Sequence, residues 1–128
     1  MTALIVGSVI CMPTLALASL TIINNSNQDS TSKINGLCTN MIGDSGITHK
    51  HASNVVSDVA ISLICGANPE NCVAQVYATP DCSKAAIGEM NFSQTKGIKT
   101  VTLSDAGKKA NYRFIAEQFK ITLNGGPA

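Results

Sequence analysis

The sequence predicts an all-β protein, an antiparallel β-sandwich of about seven short strands stapled by disulfides. Several runs alternate apolar and polar residues with a period of two, which is typical of strands with one buried face. Clusters of turn-forming residues separate these runs at short intervals. The chain has no Trp, two Tyr and three Phe, so its core is built mainly from aliphatic residues and benefits from covalent staples.

The first eighteen residues predict export. They contain no charged residue, are mostly apolar and end in Ala16-Leu17-Ala18, which is the pattern of a cleavable signal peptide. Pro13 and the short apolar run argue against a membrane-spanning helix. We therefore expect a signal peptide at 1–18 and a single β-sandwich domain at 19–128 in the periplasm or the secreted space, with a buried first strand as the alternative for 1–18.

The predicted strands follow the alternating runs. These runs are residues 20–23, 59–64, 86–92, 99–103 and 119–124, together with the apolar run 72–79. The segment 112–119 also fits a helical stripe, but we favour a strand that bends near 116–118. The polar stretch 24–33 is expected to be a mobile loop.

Four cysteines in residues 19–128 predict two disulfides. Zinc is the alternative, but these cysteines contain no C-x-x-C pair. Cys65 ends one apolar run and Cys72 opens the next, with turn residues between them, so a β-hairpin would bring them together. A strand would hold Cys72 too far from Cys82. The expected pairs are therefore Cys65–Cys72 and Cys38–Cys82.

A loop at 43–54 carries the candidate catalytic and metal-binding residues. Its Gly-Asp-Ser-Gly sequence is like a serine-protease nucleophile motif, but the histidines follow Ser45 instead of preceding it. A small hydrolase or inhibitor that groups Ser45, His49 and Asp58 is therefore an alternative, and the main expectation is a protein without catalytic residues. His49 and His51 are weak metal candidates if the backbone between them is extended. No cofactor is expected.

Basic residues are concentrated after residue 95. This part of the chain contains six Lys or Arg residues and only two acidic residues, Asp105 and Glu117. If the C-terminal strands are neighbours, they would present a basic face to anionic ligands. The partner would be a protein, a glycan or an anionic lipid surface. Nucleic acid is not expected, because the chain has a single Arg and no aromatic ladder. The predicted face consists of Lys96, Lys99, Lys108, Lys109, Arg113 and Lys120.

Three features resemble small secreted proteins of Legionella-type intracellular bacteria. They are the run 119–127, the loop 43–48 and the four-cysteine layout. The resemblance implies a short, β-rich, exported protein that contacts a host cell and has no assigned enzymatic activity. The leading hypothesis is a non-enzymatic binding or interaction module that presents the loop 43–54 and the basic face.

Overall fold

The computed structural model describes residues 18–128, where nine strands, two α-helices and one 3-10 segment are found. The predicted signal peptide lies, apart from its last residue, outside the described residues. Among the described helices, none is long and apolar enough to cross a membrane.

The strands are numbered in chain order, and the bounds of all elements are as follows. The strands are β1 (Leu20–Asn24), β2 (Thr31–Ile34), β3 (Leu37–Cys38), β4 (Ala52–Val56), β5 (Cys72–Tyr77), β6 (Gly88–Ser93), β7 (Gly97–Leu103), β8 (Tyr112–Glu117) and β9 (Lys120–Gly125). The helices are α1 (Asp58–Cys65) and α2 (Asp105–Lys109), and the 3-10 segment is Thr39–Gly46.

The strands form two sheets, as expected for an all-β sandwich-like protein. One sheet has the order β4-β1-β9-β8 and the other the order β3-β2-β5-β6-β7. Neighbouring strands are antiparallel except for β1 and β9, which run parallel with Ile22 opposite Ile121. These two strands lie far apart in the sequence, so no tight hairpin fixes them as antiparallel. The purely antiparallel expectation therefore fails at this one pair.

Alternate residues of both sheets meet in the core. Leu20 and Ile121 from the four-stranded sheet pack with Ala74, Met90 and Phe92 from the five-stranded sheet. These inward positions are the ones that the period-two pattern marks for burial. Outward neighbours such as Val73 on β5 are exposed.

Residues 58–65 form a helix, so the strand predicted at 59–64 is wrong. Ser57 caps the helix by accepting a hydrogen bond from the Ala60 N–H, and Gly66 ends it with φ 57°. Ile61 and Cys65 are buried four residues apart on one helix face. The alternation in this run was too short to distinguish a helix from a strand.

Both expected disulfides are present, although one of them joins different secondary-structure elements from those expected. Cys38 is bonded to Cys82 with the Cα atoms 5.9 Å apart, and Cys65 to Cys72 with the Cα atoms 5.4 Å apart. The second bridge joins the end of α1 to the start of β5 and not two strands of a hairpin. The six turn-forming residues between the two cysteines bring them together whether residues 58–65 form a helix or a strand.

Two polar or ambiguous segments also differ in detail from expectation. The stretch 24–33 is not a mobile loop, since Asn24 and Ser26 are fully buried and Thr31 opens β2. The Asn24 side chain donates to the carbonyls of Gln28 and Thr48 and accepts from Ser26, which orders the β1–β2 loop. Residues 112–117 form a strand, as favoured, and the chain turns at Gln118 and Phe119.

Candidate binding site

An apolar cavity of about 80 Å³ lies between the two sheets. Its walls are side chains that point inward from both sheets and from α1. They include Leu20, Ile22, Ile34, Ile61, Met90 and Ile121. The inner faces of the sheets are therefore not in contact throughout, which is unusual for a well-packed core.

The cavity reaches the protein surface on the side of β4 and β2. The segment Thr39–Gly46, called the covering segment below, lies over this side together with α1. Ile42 lines the cavity and is still 39% exposed, and Ser45 also lines it from an exposed position. Exposed side chains of the covering segment therefore form the edge of the cavity at the protein surface.

The covering segment is held by polar contacts near its ends. The Thr39 hydroxyl donates to the Gly46 carbonyl at 2.7 Å and accepts from the Ser32 N–H at 3.0 Å. A side chain at Gly46 would collide with the Thr39 carbonyl, so this close approach requires glycine. The Asn54 side chain donates to the Ser45 carbonyl at 2.6 Å. No residue of the segment is itself buried.

Polar groups around the cavity are largely engaged within the protein. The Ser30 hydroxyl donates to the Tyr77 carbonyl at 2.9 Å, and the Thr31 hydroxyl donates to the Thr79 carbonyl at 2.8 Å. The hydroxyl of Thr39 and the amide of Asn54 are bonded as described above. The lining therefore offers few free hydrogen-bonding groups, and its chemistry suits an apolar ligand.

His49 joins two chain segments next to the covering segment. Its Nε2 lies 2.8 Å from Asp44 Oδ1, and its Nδ1 lies 3.4 Å from Asp29 Oδ2. We call Asp29, Asp44 and His49 the His49 bridge. Hydrogen bonds to Asp44 and then Asp29 raise the pKa of His49 above its ordinary value of 6.5.

His49 and His51 do not form the extended pair that metal binding would require. His51 has φ 56° in a turn, and its Nε2 lies 2.6 Å from Asn27 Oδ1. Asp29 and Asp44 contact different ring nitrogens of His49 instead of sharing a point with it. Residues 18–128 accordingly contain no group of three or more potential ligands arranged around a metal position.

The alternative catalytic grouping is not assembled. The Ser45 hydroxyl donates to the Ile42 carbonyl at 3.3 Å, and His49 contacts Asp44 rather than Ser45. Asp58 accepts from the Val59 N–H at the start of α1. Each member of the expected set is therefore engaged locally.

The residues of the predicted basic face lie on several elements of both sheets. Lys99 lies on β7 in the five-stranded sheet and contacts Asn71, whereas Arg113 and Lys120 lie on β8 and β9 in the other sheet. Lys120 is also paired with Glu117 at 3.3 Å. The remaining three are Lys96 in the β6–β7 turn and Lys108 and Lys109 on α2. Strands β7 and β8, although consecutive, belong to different sheets, and the anionic-ligand face stays a prediction.

Sequence reasoning missed Asp29, Ile42 and Asn54. Asp29 lies 20 residues before His49 in the chain, and only the fold of the β1–β2 loop brings the two together. Ile42 follows Met41 in a segment that is polar on both sides of this pair, which is a slight sequence signal for a residue that lines a cavity. No sequence signal marks an inter-sheet cavity, because apolar inward positions look alike whether or not they touch.

The fold and the cavity define this chain as a disulfide-bonded, two-sheet β protein with an apolar interior site. The model of the family described as type II secretion system substrate NttC matches residues 1–126. The chain belongs to this family and is an exported protein. Comparison with curated proteins found no match.

A solved structure shares the fold. It is the crystal structure of the Legionella pneumophila type II secretion system substrate NttC, which is 20% identical in sequence with a TM-score of 0.66. The match covers 87% of this chain and 100% of that one. The resemblance to secreted proteins of Legionella-type bacteria is thereby confirmed.

Proposed function

We propose that this exported protein is a non-enzymatic binding module that takes up a small hydrocarbon group in the cavity between its sheets. The observation that carries the proposal is an apolar cavity between the sheets that is lined, where it reaches the surface, by the exposed residue Ile42. Apolar cavities in proteins remain dry and bind small apolar molecules. The loop 43–54, which the sequence singles out, contributes to this site through Ser45, Gly46, Thr48 and Asn54.

Two features support binding without catalysis. Ser45, His49 and Asp58 each make local contacts, and no nucleophile among them is paired with a base. The walls of the cavity are mainly apolar, so they would hold a ligand by burial of apolar surface. About 0.8 kcal/mol is gained for each CH₂ group that leaves water, so even a short hydrocarbon would bind measurably.

The ligand class can be tested by methyl NMR with benzene and a series of n-alcohols. We expect shifts confined to methyl groups that line the cavity, such as those of Ile22, Ile34 and Met90. Intermolecular NOEs from the probe to these methyl groups would locate it between the sheets. Affinity should rise with alcohol length until the chain outgrows the cavity.

The matched variants are Ala74→Leu and Val73→Leu on the same strand. Ala74 is buried and lines the cavity, whereas the Val73 side chain is exposed. The Leu side chain at 74 should fill the cavity and weaken probe binding at least tenfold, while the change at 73 leaves binding unaltered. If probes bind equally to both variants, or shift only surface methyl groups of the wild type, the cavity is not the site. The NOE experiment needs no variant and stands even if Ala74→Leu fails to fold.

A further inference from the structure

We propose that the His49 bridge regulates access to the cavity: protonated His49 holds the covering segment closed, and neutral His49 lets it open. This inference rests on the proposed function for its biological meaning but not for its test. The bridge would make the binding site respond to the pH of the surroundings, with slow ligand exchange in acid and faster exchange at neutral to alkaline pH.

The bridge connects a fixed part of the protein to the covering segment. Asp29 belongs to the β1–β2 loop, which is ordered by the buried side chains of Asn24 and Ser26. Its carboxylate also accepts the Lys50 N–H at 2.9 Å, and its side chain is only 28% exposed. Asp44 belongs to the covering segment, and its side chain is 84% exposed. Asp29 is therefore the anchored end of the bridge and Asp44 the movable end.

Besides the His49 bridge, the hydrogen bonds of Thr39 and Asn54 hold the covering segment, but no buried side chain does. None of its residues is buried, and Met41 and Ile42 expose apolar surface. Segments with few buried apolar contacts open at the low end of the free-energy range for local unfolding. Its first residue follows the Cys38–Cys82 disulfide, so opening is expected at the Gly43–Gly46 end, where Asp44 meets His49.

The charge of His49 decides the strength of the bridge. When the ring is protonated, one cation lies between two carboxylates: it donates a charge-assisted hydrogen bond to Asp44 and forms a longer ion pair with Asp29. When the ring is neutral, one of its nitrogens can no longer donate, and the two carboxylates lose the cation between them. Lys50 and His51 follow in the chain, but Lys50 meets Asp29 only through its backbone N–H and His51 faces Asn27.

The direction of the pH effect follows from linkage. The pKa of His49 is raised in the folded protein by its hydrogen bonds to Asp44 and Asp29. A raised histidine pKa stabilises the bridged state fully below the unfolded value of 6.5, and this stabilisation is lost as pH rises through the folded value. Closure is therefore favoured in acid.

The test is amide hydrogen exchange of the full chain between pH 5 and 8.5, corrected for the intrinsic pH dependence of exchange. The reporter is the Ile47 N–H, which donates to the Asp44 carbonyl at 3.1 Å, together with the amides of 43–46. We expect several-fold higher protection at pH 5 than at pH 8 in the wild type. His49→Gln should remove this dependence, and the matched control His51→Gln should retain it. The Ile121 amide in the central strand β9 serves as an internal reference for global stability.

A protection factor that is independent of pH in the wild type, or a dependence that survives His49→Gln, would overturn the proposal. Benzene exchange measured by NMR line shape separates this inference from the proposed function. If benzene binds but protection does not depend on pH, the bridge is not a regulator. If protection depends on pH and benzene does not bind, the bridge stands and the proposed ligand is wrong.

Discussion

The two long sides of the sandwich are built in different ways. On the side of β7 and β8, backbone and side chains meet closely: Gly97 abuts Gln118, Gly107 abuts Ile87, and the ring of Phe92 meets that of Phe119 edge-on. The Ile98 N–H also donates to the Gln118 carbonyl across the two sheets. On the side of β4 and β2, the sheets diverge around a cavity, and a segment without buried residues covers it.

The covalent links are found on the loosely packed side. Cys38 directly precedes the covering segment, and Cys65 and Cys72 both line the cavity. The tightly packed side carries no disulfide among the described residues. The difference indicates that this small protein has disulfides where a cavity interrupts close packing, and relies on packing alone where none does.

Removing the disulfide beside the covering segment should have the largest effect. Cys38→Ala/Cys82→Ala releases a closed loop with a sequence separation of 44, which corresponds to about 4 kcal/mol in the chain-entropy model. The free energy of unfolding from urea titrations followed by circular dichroism measures this loss.

The second disulfide provides the control for this prediction. Cys65→Ala/Cys72→Ala opens a loop with a separation of only 7, for which the same model gives about 2.5 kcal/mol. A larger loss for the short loop would show that contacts around α1, and not chain entropy, set the ranking. It would also mean that the cavity wall depends more on α1 than on the covering segment.

Close packing on the other side predicts an intermediate effect for Gly107→Ala. The added methyl group would collide with the Ile87 carbonyl where α2 crosses the chain. Overpacking of this kind costs about 1–3 kcal/mol. The expected result is a lower urea midpoint with an unchanged dependence on urea concentration.

Gly36→Ala on the open side is the comparison for this variant. Gly36 has φ 78° in the β2–β3 turn but has open space around it, so only backbone strain of about 1 kcal/mol is expected. Equal losses at both positions would contradict the view that the two sides differ in packing.

The sequence predicts the β class, six of the strands approximately, and both disulfide pairs. These predictions depend on local signals, which are the period-two alternation in residues such as Ile121 and Leu123 and the turn residues between Cys65 and Cys72. Helix α1 was missed because Val59, Ile61 and Leu63 alternate as in a strand, while Ile61 and Cys65 also share a helical face. In a run this short, the cap residue Ser57 was the better signal.

The site was predicted only in part, because some of its residues are far from the others in the sequence. The loop 43–54 was singled out, but its partner Asp29 comes from a stretch that looked like a mobile loop. The basic face stays a prediction, and two of its members, Lys99 and Arg113, lie on strands of different sheets. Sheet membership depends on pairing between distant strands, and the composition of a segment does not encode it.

The smallest predicted effects come from the two helix caps, one on each side of the molecule. The Ser57 hydroxyl accepts only the Ala60 N–H of α1. The Ser104 hydroxyl accepts the Gly107 N–H of α2 and donates to the Ala86 carbonyl at 2.6 Å. Ser57→Ala should lower the free energy of unfolding by about 0.5–1 kcal/mol, and Ser104→Ala by about 1–2 kcal/mol, since the latter also leaves a carbonyl without its partner.

Ser57→Asp and Ser104→Asp separate the two contributions. Aspartate can replace the capping oxygen in both helices, but it cannot donate to the Ala86 carbonyl. Stability should therefore recover at position 57 and remain reduced at position 104. Full recovery at both positions would mean that the hydrogen bond from Ser104 to the Ala86 carbonyl adds no stability. The tightly packed side would then be stabilised by apolar contacts and not by hydrogen bonds between α2 and the chain before β6.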